Sequence, residues 1–162
     1  MTRTAAIAVA FALGASLLAP AHAERGSFKG HAVLNSTKFT EYKALDGHPM
    51  KGVMSGEMEG LVFHDGGDRG VDQMLDRAHY HVAWVGDGGG SGYCLKTFTT
   101  KDGHKLFARC DSKWSSTAVT GTVTLLGGTG PFAGISGKGK FNFVFVTPVV
   151  NWDDIEWNWE TP

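Results

Sequence analysis

Arg77, His79 and His81 alternate along the segment Arg77-Ala78-His79-Tyr80-His81-Val82-Ala83-Trp84, which has the period-2 patterning of a β-strand. Their side chains would project to one side of that strand, and Ala78, Tyr80, Val82 and Trp84 to the other. A His-x-His pair on one face can offer two imidazoles to a metal. With a neighbouring guanidinium it can instead polarise a bound molecule or move a proton. The metal reading needs a third ligand, and no downstream Glu or His falls at the spacing that would supply one locally, so no metal or other cofactor is expected. Apolar faces ordinarily turn inward, which would send Arg77, His79 and His81 to solvent. If their face lines a cavity instead, these three are the candidate catalytic residues.

Other sites of reactive side chains are weaker. Glu57 and Glu59 share a strand face with Leu61 and Phe63, a pattern that fits a solvent-facing strand end better than an inward carboxylate pair. Asp65, Asp68 and Asp72 lie in a Gly-rich stretch whose spacing matches no EF-hand loop, and turn chemistry accounts for Asp beside Gly. Gly90-Ser91-Gly92 is not a nucleophile elbow, which needs G-x-S-x-G.

The two cysteines, Cys94 and Cys110, carry a firmer expectation. Ser91 to Thr99 and His104 to Asp111 both read as strands, and Lys101-Asp102-Gly103 between them reads as a three-residue hairpin loop ending in Gly. A hairpin centred on Asp102 sets Cys94 directly opposite Cys110, where side chains approach closely enough to bridge. In an oxidising compartment a disulfide is then expected. A metal-binding or catalytic thiol would need a thiolate-stabilising neighbour, and none is identifiable.

The elements that must position these groups are strands. Helical periodicity is nearly absent after residue 24, and Gly, Asp and Asn clusters separate apolar-alternating runs. Strands are expected over 26–36, 53–64, 73–85, 92–99, 105–111, 118–126, 137–146 and 155–159. Phe141, Phe143 and Phe145 fall on one strand face, as do Ile155, Trp157 and Trp159. Bulky residues so placed fill or line the inside of a small barrel. Phe141, Phe143, Trp157 and Trp159 are therefore candidate ligand-binding residues.

The stretch GGTGPFAGISGKGKF, residues 127–141, tests for a nucleotide loop. A dinucleotide loop needs GxGxxG opening a helix, and a P-loop needs GK followed by Ser or Thr. Pro131 to Gly139 cannot sustain a helix, so no helix N-terminus is available to a phosphate. A turn fits better, with Phe132 and Ile135 tucked under the sheet edge and Gly137-x-Gly139 opening the return strand. The pattern resembles the GGTG-x-F…G-x-G segment of the allene oxide cyclase and dirigent superfamily, carried here by Gly127, Gly128, Thr129, Gly130, Phe132, Gly137 and Gly139. The resemblance implies an eight-stranded antiparallel barrel, in agreement with the strands read from the residues. Plant members of that family cyclise an unsaturated fatty-acid epoxide or steer radical coupling. Their catalytic residues find no matching positions here outside the turn.

Arg3 followed by the apolar run Ala5 to Ala19 and by Ala21-His22-Ala23 reads as a signal peptide cleaved after Ala23. The expected organisation is thus a signal peptide over 1–23 and one all-β barrel domain over 24–162, soluble, and periplasmic or secreted. No membrane span is expected after cleavage, because the apolar run falls short of the roughly 20 residues a spanning helix needs. A formal net charge of −1 without a basic run argues against nucleic acid as a partner. The expected function is binding of a small apolar molecule in the barrel. The alternatives are an isomerase or cyclase acting through Arg77, His79 or His81, and a protein-interaction or inhibitor barrel using the loops at 65–70 or 86–90.

Overall fold

The computed structural model describes residues 23–67, 73–86 and 89–162. The 1–22 part of the expected signal peptide, and Asp68 and Asp72, lie outside the described residues. Eight strands follow one another around a single closed antiparallel barrel: β1 (Arg25–Lys43), β2 (Gly52–Gly67), β3 (Met74–Gly86), β4 (Gly89–Thr99), β5 (Lys105–Trp114), β6 (Ala118–Gly128), β7 (Ser136–Phe145) and β8 (Val150–Glu160). Closure is made by β8 pairing with β1, from Arg25↔Glu160 to Asn35↔Val150. A closed barrel leaves no unpaired edge.

Each strand obeys the alternation read from its residues, with one face buried. Asn151, Asp153, Ile155, Trp157 and Trp159 are buried on β8 while their neighbours face out, and Met74, Asp76, Ala78, Tyr80 and Val82 are buried on β3. Two strands run well beyond their expected limits. β1 continues to Lys43, and β8 begins at Val150 although Asn151 to Asp154 looks polar enough for a loop. Ladder partners on both sides hold these polar residues in the sheet.

Large inward rings are accommodated by glycine on the adjacent strand. Trp157 lies opposite Gly139 and Trp159 opposite Gly137. Phe141 lies opposite Gly121 and Tyr80 opposite Gly56. A Cβ on Gly139 would sit 2.6 Å from the Cβ of Trp157, and one on Gly121 would sit 2.8 Å from the Phe141 ring. At these four places bare backbone on the neighbouring strand makes room for the ring, a pairing that offsets the poor intrinsic strand preference of glycine.

The two ends of the barrel differ. At the end carrying the β2–β3, β4–β5 and β6–β7 connections, Phe28, Met74, Phe98, Leu106 and Trp157 are buried. Phe28 stacks on Trp157 at 4.3 Å. The segment 127–135 closes over this end: Phe132, within a single 3-10 turn (Gly130–Phe132), and Ile135 are both buried. Gly127 and Gly130 hold φ of 118° and 58°, conformations open to glycine at little cost. The glycine-rich stretch is therefore a plug, and its aromatic anchor tucks under the barrel rim as the turn reading expects.

Candidate functional site

The β4–β5 hairpin has the expected register, with Cys94 opposite Cys110, and both side chains are buried inside the barrel. The expected disulfide is not formed: both are free thiols. The adjacent Cys94 thiol, together with burial, pushes the Cys110 thiol well above its ordinary pKa.

Arg77, His79 and His81 lie on the outer face of β3, all exposed, because Ala78, Tyr80 and Val82 take the inward phase. Arg77 and His79 meet the two glutamates across the ladder, where Glu57 pairs with His79 and Glu59 with Arg77. Arg77 Nε donates to Glu59 Oε2 at 2.6 Å, and Glu57 receives Lys38 Nζ at 3.3 Å. His81 rests against the Tyr93 ring at 5.3 Å. Two groups that the sequence offers separately thus form one solvent-facing ion-pair patch, of the kind that contributes little stability. Asp65, the described member of the acidic loop, accepts through Oδ2 from His31 Nδ1 at 2.8 Å. Among the described residues no three His, Cys, Asp or Glu side chains gather as a metal set.

The four aromatic candidates are all buried and inward, but they divide between the ends. Trp157 and Trp159 belong to the plugged half. Phe141 and Phe143 line a cavity at the opposite end, with Tyr80, Trp114, Met58 and Val119 completing its apolar wall. Phe145, on the same strand face, is 41% exposed at the rim, in T-shaped contact with Phe143 at 5.3 Å and near Trp114 at 5.8 Å. The cavity is narrow and opens to solvent past Trp114 and Phe143.

A buried ion cluster lies beneath it. Lys96 on β4 reaches into the lumen and donates to Asp76 Oδ2 on β3 at 2.8 Å and to Asp153 Oδ2 on β8 at 2.7 Å. Lys96, Asp153 and Cys94 line the cavity together. All three members of the ion cluster are buried. Burial pushes both carboxyl pKa values up against the pull of the ammonium. The two carboxylates outweigh desolvation at Lys96 and hold its ammonium well above the ordinary lysine range. Asp76 Oδ1 and Asp153 Oδ1 find no hydrogen-bond partner among the described residues.

Sequence reasoning missed this cluster, although a signal was present. Asp76 shares its strand phase with Ala78, Tyr80 and Val82, Lys96 with Cys94 and Phe98, and Asp153 with Ile155, Trp157 and Trp159. A charge in the inward phase of an otherwise apolar strand face is a buried charge. Three such positions, of both signs, would have pointed to a cluster inside the lumen. The chain matches no family model and no curated protein.

Proposed function

We propose that this barrel is an exported binding protein that takes a small, largely apolar molecule at its open end. The observation that supports this reading is the asymmetry of the lumen. One end is filled and plugged by Phe132 and Ile135, while the other presents Tyr80, Trp114, Phe141 and Phe143 around a small apolar cavity that overlies the buried Lys96 cluster. Concave walls of apolar and aromatic side chains are the usual lining of a ligand site. The ligand's body would lie in the mouth, where the cavity opens to solvent.

Export rests on the pattern over residues 1–23 and the facing cysteines, which an oxidising compartment would join. Kinship with the allene oxide cyclase and dirigent superfamily rests on the eight-stranded barrel and on the plug built from the GGTG-x-F…G-x-G residues. An isomerase working through Arg77, His79 or His81 has no support, since none of them reaches the lumen.

The test is native mass spectrometry of the secreted chain after incubation with a lipid extract of the producing cells, alongside tryptophan fluorescence. An adduct lost on denaturation, and weakened by Phe143→Ala, is the expected result. A bare mass with unchanged fluorescence across extracts would refute the reading and direct the search to protein partners.

A further inference from the structure

Above the closed ring of eight strands, β1 runs on with one edge open. Its ladder with β8 ends at Asn35↔Val150, and the Ser36 N–H makes one further bond to the Val149 carbonyl. From Lys38 to Lys43, β1 is paired with β2 alone. We infer that a second copy of the chain adds to this edge, antiparallel and two-fold symmetric about Tyr42. Pairing of two copies does not depend on what the mouth holds.

Backbone geometry decides which groups the edge offers. The Ala44 N–H donates to the Lys51 carbonyl at 2.9 Å, and Tyr42 and Thr40 share its phase on the ladder with β2. These three turn their amides and carbonyls toward β2. Phe39, Glu41 and Lys43 alternate with them and turn theirs to the open edge. A strand that presents free donors and acceptors is a template for another strand.

The side chains select the partner. Residues 39–45 read Phe-Thr-Glu-Tyr-Lys-Ala-Leu, a segment complementary to its own reverse. With Tyr42 opposite the partner's Tyr42, Glu41 meets the partner's Lys43, Thr40 the partner's Ala44 and Phe39 the partner's Leu45, and each of these pairs occurs twice. Backbone hydrogen bonds then fall on Glu41 and Lys43, whose amides face the edge. The two tyrosines form the close, non-hydrogen-bonded pair at the axis. Opposite charges and apolar groups directly across a ladder are the pairs that stabilise it. Moving the axis to Thr40 keeps the backbone phase but sets Phe39 against the partner's Glu41 and loses both ion pairs.

Exposure supports the same pairing. Phe39, Tyr42 and Leu45 are 57%, 67% and 88% exposed, and Glu41 and Lys43 are exposed beside them. A lone copy leaves three large apolar side chains in water on one short segment, a concentration that marks an interaction site. So short an edge makes a small interface, so the dimer is reversible and grows with concentration.

The experiment is sedimentation of the secreted chain over a range of concentrations, which should show a monomer–dimer equilibrium. Glu41→Lys should raise the dissociation constant about tenfold, because both cross-strand ion pairs become repulsive. The double exchange Glu41→Lys, Lys43→Glu should restore it. Both side chains are exposed, so these variants should fold as the wild type does. Under oxidation Tyr42→Cys should cross-link two chains and Thr40→Cys should not, since only position 42 faces its own copy. A chain that stays monomeric up to about 1 mM would overturn the inference, as would a dimer indifferent to Glu41→Lys. Cross-linking through Thr40→Cys in preference to Tyr42→Cys would overturn the axis at Tyr42. Capture of unrelated extended peptides by a chain that remains monomeric would also overturn it and give the edge to another protein.

Discussion

Gly139 and Trp157 face each other across the β7–β8 ladder, and the indole occupies the space that a side chain at residue 139 would need. A methyl group there would also strike the backbone carbonyl of Glu156. Neither neighbour is the loose end of a flexible chain, so relief would require the strand to move.

Gly139→Ala should therefore destabilise the fold by about 1–3 kcal/mol, the usual cost of overpacking a well-filled core. Urea unfolding would measure it, with Gly66→Ala as the comparison, since a Cβ at Gly66 meets nothing. Equal midpoints for the two variants would contradict the glycine–aromatic account of the lumen.

Lys96→Met should cost about 3–5 kcal/mol at neutral pH, because it leaves two carboxylates buried without their cation. Part of that loss should return as the pH is lowered, when Asp76 and Asp153 take up protons. A pH-independent loss would show that Lys96 contributes by packing alone.

The wild-type cluster has its own pH signature. The folded pKa values of Asp76 and Asp153 lie above the ordinary 3.8, so the folded protein binds protons more readily than the unfolded chain. Their contribution must then decline as pH rises from about 3.8 through the raised folded values. Lys96 is also raised above its ordinary 10.5, so its contribution is intact below that pH and is lost as pH climbs through the folded value. Urea midpoints across the pH range, compared with the triple variant Asp76→Asn, Lys96→Met, Asp153→Asn, should reveal both slopes in the wild type and neither in the variant.

Oxidation of Cys94 and Cys110 to a disulfide should raise stability by about 3 kcal/mol, the expectation for a closed loop of ~15 residues. The adjacent Cys94 and burial push the Cys110 thiol up, so its spontaneous oxidation should be slow and a thiol oxidase should accelerate it. Intact mass before and after reduction, paired with melting curves, checks both statements. Identical melting of the two forms would exclude a stabilising bridge.

Arg77→Ala, His79→Ala and His81→Ala should each leave ligand binding unchanged and alter stability by no more than about 0.5 kcal/mol, as for ordinary surface substitutions. Loss of binding in any one of them would place the functional surface on the outside of β3.

Much of this barrel is determined by the sequence alone. Alternation with period 2 settles which residues share a face, and the Lys101-Asp102-Gly103 turn settles the pairing of Cys94 with Cys110, because both are local consequences of backbone geometry. The same locality makes Gly127 to Ile135 legible as an anchored turn. Tertiary structure alone decided the rest. Whether Arg77 or Ala78 faces the lumen depends on what the neighbouring strands enclose. That Lys96 meets an aspartate on the far wall depends on closing β8 against β1, a contact between residues far apart in the chain. Asp153 looked like part of a loop because polarity is a local property, whereas the direction of its side chain follows from the strand phase shared with Ile155 and Trp157. Closure of the barrel turned three separate charged residues into one buried cluster, and only the plugged end at Phe132 determined which mouth remained open.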